Sequence, residues 1–212
     1  MIKFLYGDQI DRVAVLRDTM FRDRARQFKD RMGWEVQVDQ NGYERDEYDA
    51  LNPLYVIWQQ PDGSHGGSMR FLPTTGPVMV NDHFCDLTDG VAIISPLIWE
   101  VTRFCLAPNL PSASRISARL MLAGAELGQG FYLNHAVGVF DASMVRIYRA
   151  IGWPPQVTGT RGEGKRAISV GLWDFKAAPF DTLCMRAGVD RATSRRWFED
   201  AFTIGQDQMI SA

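Results

Sequence analysis

Two stretches that read as β-strands each carry a charge in an otherwise apolar run. Arg70 lies inside Ser68-Met-Arg-Phe-Leu72, and Glu100 lies inside Leu97–Leu106. A central arginine such as Arg70 needs a partner, because a buried unpaired charge costs on the order of 3–5 kcal/mol. In the second stretch Leu97, Trp99 and Val101 alternate with Ile98, Glu100 and Thr102. Glu100 therefore points to the face opposite the apolar one. Arg103 is three residues on and in a regular strand would point away from Glu100. The two can serve one site only if the strand bulges between them.

The other elements follow from periodicity. Ile2–Tyr6 reads as a strand. Asp8 to about Phe28 reads as a helix with Ile10, Val13, Leu16 and Met20 on one face. Residues 29–53 have weak patterning and many acids, as binding loops often do. Leu54–Gln59 and Gly67–Leu72 flank Pro61-Asp-Gly-Ser64, a turn signature that predicts an antiparallel hairpin. Ser112–Ser114 can cap a helix to about Leu127 that buries Ile116, Leu120, Ala123 and Leu127. Phe131–Val139 reads as a strand, and Asp141 caps a helix through Ile151. Ala167–Phe175 is a late strand. Helices Phe180–Ala187, stopped by Gly188, and Ala192–Phe202 complete the chain. This order predicts an α/β protein with a mixed sheet, helices on both faces and one domain over 1–212.

Composition narrows the chemistry. With 46% hydrophobic and 23% charged residues over 212 positions, the chain is expected to be a folded soluble domain. No apolar run is long enough for a membrane span. Three cysteines without close spacing fit a reducing cytoplasm. They and the three histidines lack metal-ligand spacing, so no metal and no cofactor is expected. There is no Gly-x-Ser-x-Gly elbow and no Walker loop. The run Gly124-Ala-Glu-Leu-Gly128-Gln-Gly130 reads as the end of a helix rather than a dinucleotide loop. The net charge of −2 divides into −5 over residues 1–110 and +3 over 111–212. That argues against nucleic acid as a partner and leaves a basic face for an acidic one.

Arg24 and Phe28 share a helix face, with Trp34 just beyond. Together with Asp46, Asp49, Arg70, Phe84, Glu100 and Arg103 they form an ordered set that resembles the signature of the acyl-homoserine lactone synthases, the autoinducer synthases of bacterial quorum sensing. The context agrees in Tyr43-Glu-Arg-Asp46-Glu-Tyr-Asp49, Gly67-Ser-Met-Arg70-Phe-Leu-Pro-Thr74 and Trp99-Glu100-Val-Thr-Arg103-Phe104. The match is close over about residues 4–110 and looser beyond, where Ser143-Met144 through Gly152-Trp153 also fits.

The resemblance implies a GNAT-like N-acyltransferase fold with a cleft between splayed central strands. It implies S-adenosylmethionine as acyl acceptor and acyl-acyl-carrier protein, or acyl-CoA, as donor. The rival is a related N-acyltransferase with a different amine acceptor. On this reading Glu100 takes the proton of the attacking amine, with Arg103 and Arg70 beside it in the catalytic set. Backbone N–H groups freed by a bulge around Val101–Phe104 would hold the oxyanion. Arg24 or Arg31 would hold the substrate carboxylate, and Phe28 and Trp34 would cover the sulfonium and adenine. Asp46, Asp49, Arg70 and Arg103 sum to zero charge and are expected to pin the acidic loop to the sheet. Phe84 and Phe104 complete the S-adenosylmethionine set. Trp99, Met121, Leu122 and Phe140 are the candidates for an acyl tunnel. Arg115 with Arg119, and Arg146 with Arg149, line helix faces that would dock an acidic carrier.

Overall fold

A computed structural model describes residues 1–202, with Lys165 described by its backbone alone. The elements are β1 (Ile2–Tyr6), α1 (Gly7–Ile10), α2 (Ala14–Ala25), β2 (Leu54–Gln59), β3 (His65–Pro73), α3 (Met79–His83), β4 (Ile98–Leu106), α4 (Ala113–Gly130), β5 (His135–Asp141), α5 (Ala142–Ile151), β6 (Gln156–Arg161), β7 (Ile168–Asp174), α6 (Phe180–Ala187) and α7 (Arg191–Phe202). The sheet order is β1-β2-β3-β4-β5-β7-β6. Every neighbouring pair is antiparallel except β4 and β5.

The β2–β3 hairpin forms where its turn signature lies. The Asp62 side chain accepts from the Ser64 N–H at 3.0 Å, and Gly63 takes a φ of 87° that favours glycine. The hairpin's alternation builds both layers. Leu54, Val56, Met69 and Phe71 pack toward α4, while Tyr55 and Ile57 pack toward α2 with Leu16, Met20 and Phe21.

The parallel pair carries the cleft. Ile98–Glu100 pair with His135–Val137, and beyond Glu100 and Val137 the two strands part. On its other side β4 pairs Arg70 with Thr102 and then Ser68 with Cys105, leaving Arg103 and Phe104 out of the register. Arg103 sits there at φ 53°, a left-handed value uncommon for a side-chain-bearing residue. This is the bulge that the spacing of Glu100 and Arg103 required.

Several expectations change in detail. The first helix is broken at Asp11–Val13, so Val13 is exposed rather than on the buried face. Its far end, Arg26–Arg31, widens into π-helical turns. The strand expected from Phe131 begins at His135, because the N–H groups of Phe131, Tyr132 and Leu133 still donate to carbonyls at the end of α4, and Asn134 is the first to donate to the Leu97 carbonyl. The strand β6 has no apolar alternation to betray it, being an edge strand with one face over Leu87. At Gly159 a side chain would meet the Leu87 carbonyl at 1.9 Å. The glycine-rich run does end helix α4, and it does so for packing: a Cβ at Gly128 would lie 2.1 Å from the Phe175 ring.

Candidate active site

Three arginines from three elements meet three carboxylates of the acidic loop. Arg24 on α2 donates to Glu44 at 2.6 Å and to both oxygens of Asp49 at 2.9 and 2.8 Å. Arg70 on β3 reaches Asp46 and Asp49 and donates to Thr102 at 3.0 Å. Arg103, turned by the bulge, reaches Glu44 at 2.9 Å and Asp46 at 2.8 Å. The six charges close into a ring. The loop is thereby pinned to the sheet, as the zero-sum set required, with Glu44 as a member the sequence reading missed. The Tyr43-Glu-Arg-Asp run held the signal, but Glu44 looks like surface charge until Arg24 and Arg103 converge on it.

Burial makes the ring costly to break. Arg24 and Arg70 are 1% exposed and Glu44 is fully enclosed. Burial alone would push the Asp49 carboxyl up, yet Arg24 and Arg70 hold it well below the usual carboxylate range. Arg24 is therefore corrected as a substrate ligand. Its guanidinium is sealed and spent on Glu44 and Asp49, and no ligand carboxylate can reach it.

Three cavities open beside the ring; the smallest, about 190 Å³, borders Asp46 and Asp49 on the Tyr55 side, and the other two share a wall. The first of these two, about 210 Å³, is largely apolar and lies between the parting strands β4 and β5. Phe28, Arg31, Trp34, Phe104, Met121 and Phe140 line it, as do Met69 and Gly124. The π-helical turns bring Phe28 and Arg31 to it, and the Trp34 N–H donates to the Phe28 carbonyl at 2.8 Å. The two rings stack at 5.1 Å, and the Arg103 guanidinium sits 5.3 Å from the Phe28 centroid. Trp99 and Leu122 are not in this wall. Trp99 packs on Phe131, and Leu122 is fully buried in the main core. Leu122 is a core residue and Trp99 a half-buried one packed against the core, a correction that periodicity cannot make because core and tunnel walls share it.

The second cavity, about 480 Å³, is acidic. Glu35, Glu44, Asp46 and Glu47 line it against Arg45 and Arg103. Asp49 lies outside it, turned into the ring. Phe84 is also elsewhere, beneath the Arg161 guanidinium and packed with the α3 side of the sheet. Met79 and Arg103 belong to the walls of both cavities. Met79 was invisible in the sequence, where it is one methionine after a Gly-Pro turn.

Glu100 sits one layer behind that shared wall. Its carboxylate accepts the N–H groups of Met79 at 3.0 Å and Val80 at 2.6 Å. Burial pushes its pKa up to about 7, against the lowering pull of those two N–H groups and Arg70. It lines neither cavity directly. A buried Asp23–His65–Ser68 chain, with His65 2.9 Å from Asp23 and 3.0 Å from Ser68, has the residue types of a nucleophilic triad. It lines neither cavity either, and it ties α2 to β3.

The four surface arginines divide. Arg119 donates to the Ala187 carbonyl at 2.9 Å and lies over Trp58, so it caps α6 and is not part of a docking face. Arg115 is exposed beside Gly188, at the end of that helix. Arg146 and Arg149 are exposed on α5 and make no salt bridge among the described residues.

Comparison with known proteins gives a family and several relatives. Residues 8–183 match the family model described as autoinducer synthase. An acyl-homoserine-lactone synthase of Rhizobium etli is 40% identical over 196 residues, 90% of this chain and 91% of the relative. Among solved structures, the acyl-homoserine lactone synthase LasI aligns with a TM-score of 0.75 at 27% identity, covering 90% of this chain and 98% of its own. TofI, solved in a ternary complex with an inhibitor and MTA, aligns at 0.65 and 25% identity over 82% of this chain and 90% of its own.

Proposed function

The chain belongs to the autoinducer synthase family, an acyltransferase on a GNAT-like fold that makes acyl-homoserine lactones, and from that premise we propose how the two cavities that share a wall divide the work. The acidic cavity takes S-adenosylmethionine, whose sulfonium and amine suit the exposed carboxylates Glu35 and Glu47, Glu44 and Asp46 being already paired in the ring. The apolar cavity takes the acyl chain. The observation that carries this reading is the shared wall: Met79 and Arg103 border both spaces, so amine and thioester carbonyl meet there.

The amine has a reference pKa of roughly 7.7–8.0 and is mostly protonated at neutral pH. Glu100, poised at about 7, accepts that proton through one bridging water, since its carboxylate stands behind Met79. The free amine adds to the thioester carbonyl. The backbone N–H groups left out of the register at Arg103 and Phe104 stabilise the oxyanion. Collapse of the tetrahedral intermediate forms the amide and expels the thiol. The substrate carboxylate then attacks its own γ-carbon, closing the lactone and expelling neutral 5′-methylthioadenosine. That step needs mainly the right chain conformation. Arg31 replaces Arg24 as the candidate holder of the carboxylate, because it is exposed; it borders the apolar cavity, so S-adenosylmethionine reaches past the shared wall of Met79 and Arg103 toward it. Phe28 and Trp34, on that same side, part to cover the sulfonium.

The donor we favour is an acyl chain on an acidic carrier protein, docking on Arg146 and Arg149, with acyl-CoA the other possibility. The reaction belongs in the cytoplasm, where both substrates occur; no helix of the described residues is long and apolar enough to cross a membrane. Incubation with S-adenosylmethionine and an octanoyl-carrier thioester tests the scheme. Release of methylthioadenosine and octanoyl-homoserine lactone in equal amounts supports it. Amide formation on another amine, without methylthioadenosine, refutes it.

A further inference from the structure

Among the polar atoms in the wall of the apolar cavity is a tyrosine hydroxyl with no hydrogen-bond partner among the described residues. Tyr148 on α5 is 6% exposed and lines the cavity, its ring packed among Phe104 at 6.3 Å, Phe140 at 5.5 Å and Trp173 at 5.0 Å. Other hydroxyls in this wall are committed: Ser117 donates to the Ala113 carbonyl at 2.9 Å, and Ser143 donates to Asp141. Among the described residues the Tyr148 hydroxyl has no hydrogen-bond partner, yet no buried side-chain oxygen is both enclosed and unpaired. The hydroxyl therefore opens onto free space, and for so buried a side chain that space is the cavity. Leaving a phenol hydroxyl unpaired in an apolar chamber is unfavourable unless a ligand or water satisfies it.

We propose that Tyr148 is a specificity-determining residue whose hydroxyl hydrogen-bonds an oxygen on the acyl chain, so that the enzyme prefers donors oxygenated near the thioester over unsubstituted chains of the same length. The placement supports the position of that oxygen. Tyr148 packs edge-on against Phe104, the neighbour of Arg103 at the bulge, which links it to the wall the two cavities share. A keto oxygen would accept from the phenol, and a hydroxyl could accept and donate. The inference rests on the reading of this cavity as the acyl site.

Competition assays with 3-hydroxyoctanoyl, 3-oxooctanoyl and octanoyl thioesters on one carrier test it, in the wild type and in Tyr148→Phe. The wild type should favour at least one oxygenated donor by about tenfold in kcat/KM, and the variant should lose that ratio. The arm that loses more tells a hydroxyl from a ketone. A wild type that favours the unsubstituted chain overturns the proposal whatever the variant does. So does a variant that slows all three donors alike, the result expected if the hydroxyl only holds a structural water. Failure of the acyl-site reading looks different: no lactone forms from any of the three.

Discussion

Arg103 and Glu44 stand 59 residues apart and meet at 2.9 Å, because a bulge in β4 turns the arginine onto the face where the acidic loop lies. Glu44 also takes Arg24 at 2.6 Å, so one enclosed carboxylate ties α2, β4 and the loop together. Glu44→Gln should leave two arginines short of charge and cost about 3–5 kcal/mol of stability. Urea unfolding at neutral pH measures it. A loss under 1 kcal/mol would mean the ring is ornamental.

Asp49 is the acid-sensitive member. With burial opposing and Arg24 and Arg70 prevailing, its folded pKa lies below the unfolded value of about 3.9. Its contribution is therefore complete above about pH 4 and drains away as pH falls further. Asp49→Asn should lower stability at pH 7 and flatten the decline below pH 4. Unfolding midpoints between pH 2.5 and 7 check both signs.

Glu100 carries the opposite shift. Its raised folded pKa means that stability falls as pH climbs from the ordinary carboxylate range of about 4.3 to about 7, and Glu100→Gln should lose that slope. The same group should give the pH–rate profile a limb near 7, where loss of its proton turns the base on. The variant should lose that limb and about 10²–10⁴ in kcat, while the limb of the substrate amine remains. An altered KM with the limb intact would show that Glu100 only holds Met79 in place.

The apolar cavity should set chain length. A side chain at Gly124 would point at the tips of Met69 and Phe71, 3.3 and 3.4 Å from its Cβ. Gly124→Val should shift the lactones of an expressing culture to shorter chains, at about 1–3 kcal/mol of overpacking. Product mass spectrometry with an unchanged length distribution would place the chain elsewhere.

Among the described residues Arg146 and Arg149 make no salt bridge, and Arg119 is held by the Ala187 carbonyl. Reversing both to glutamate should raise KM for a carrier-linked donor several-fold, with a steeper effect at low salt, and leave KM for S-adenosylmethionine unchanged. Equal KM for the carrier in wild type and variant would move the dock to another face.

Much of this was readable along the chain because its causes are local. The hairpin follows from Pro61-Asp-Gly-Ser64, the helix cap from Asp141, and the need for a partner from Arg70 alone within its strand. The demand for a bulge came from counting three residues between Glu100 and Arg103, and the register obeys it. What one dimension could not hold was which charge meets which. Arg24 and Arg31 look alike seven residues apart, yet one is sealed in the ring and the other borders the cavity. Trp99 and Phe140 are both apolar, and only the parting of β4 from β5 leaves Phe140 on the cavity wall and Trp99 away from it. Local chemistry along the chain was enough for most element types, most of the charged set and the family, but not for strand β6, the π-helical turns or Glu44. The tertiary structure decided enclosure: burial, pairing and open space depend on segments distant in the chain, so Glu44, Met79 and Tyr148 acquired their places only when the sheet brought those segments together.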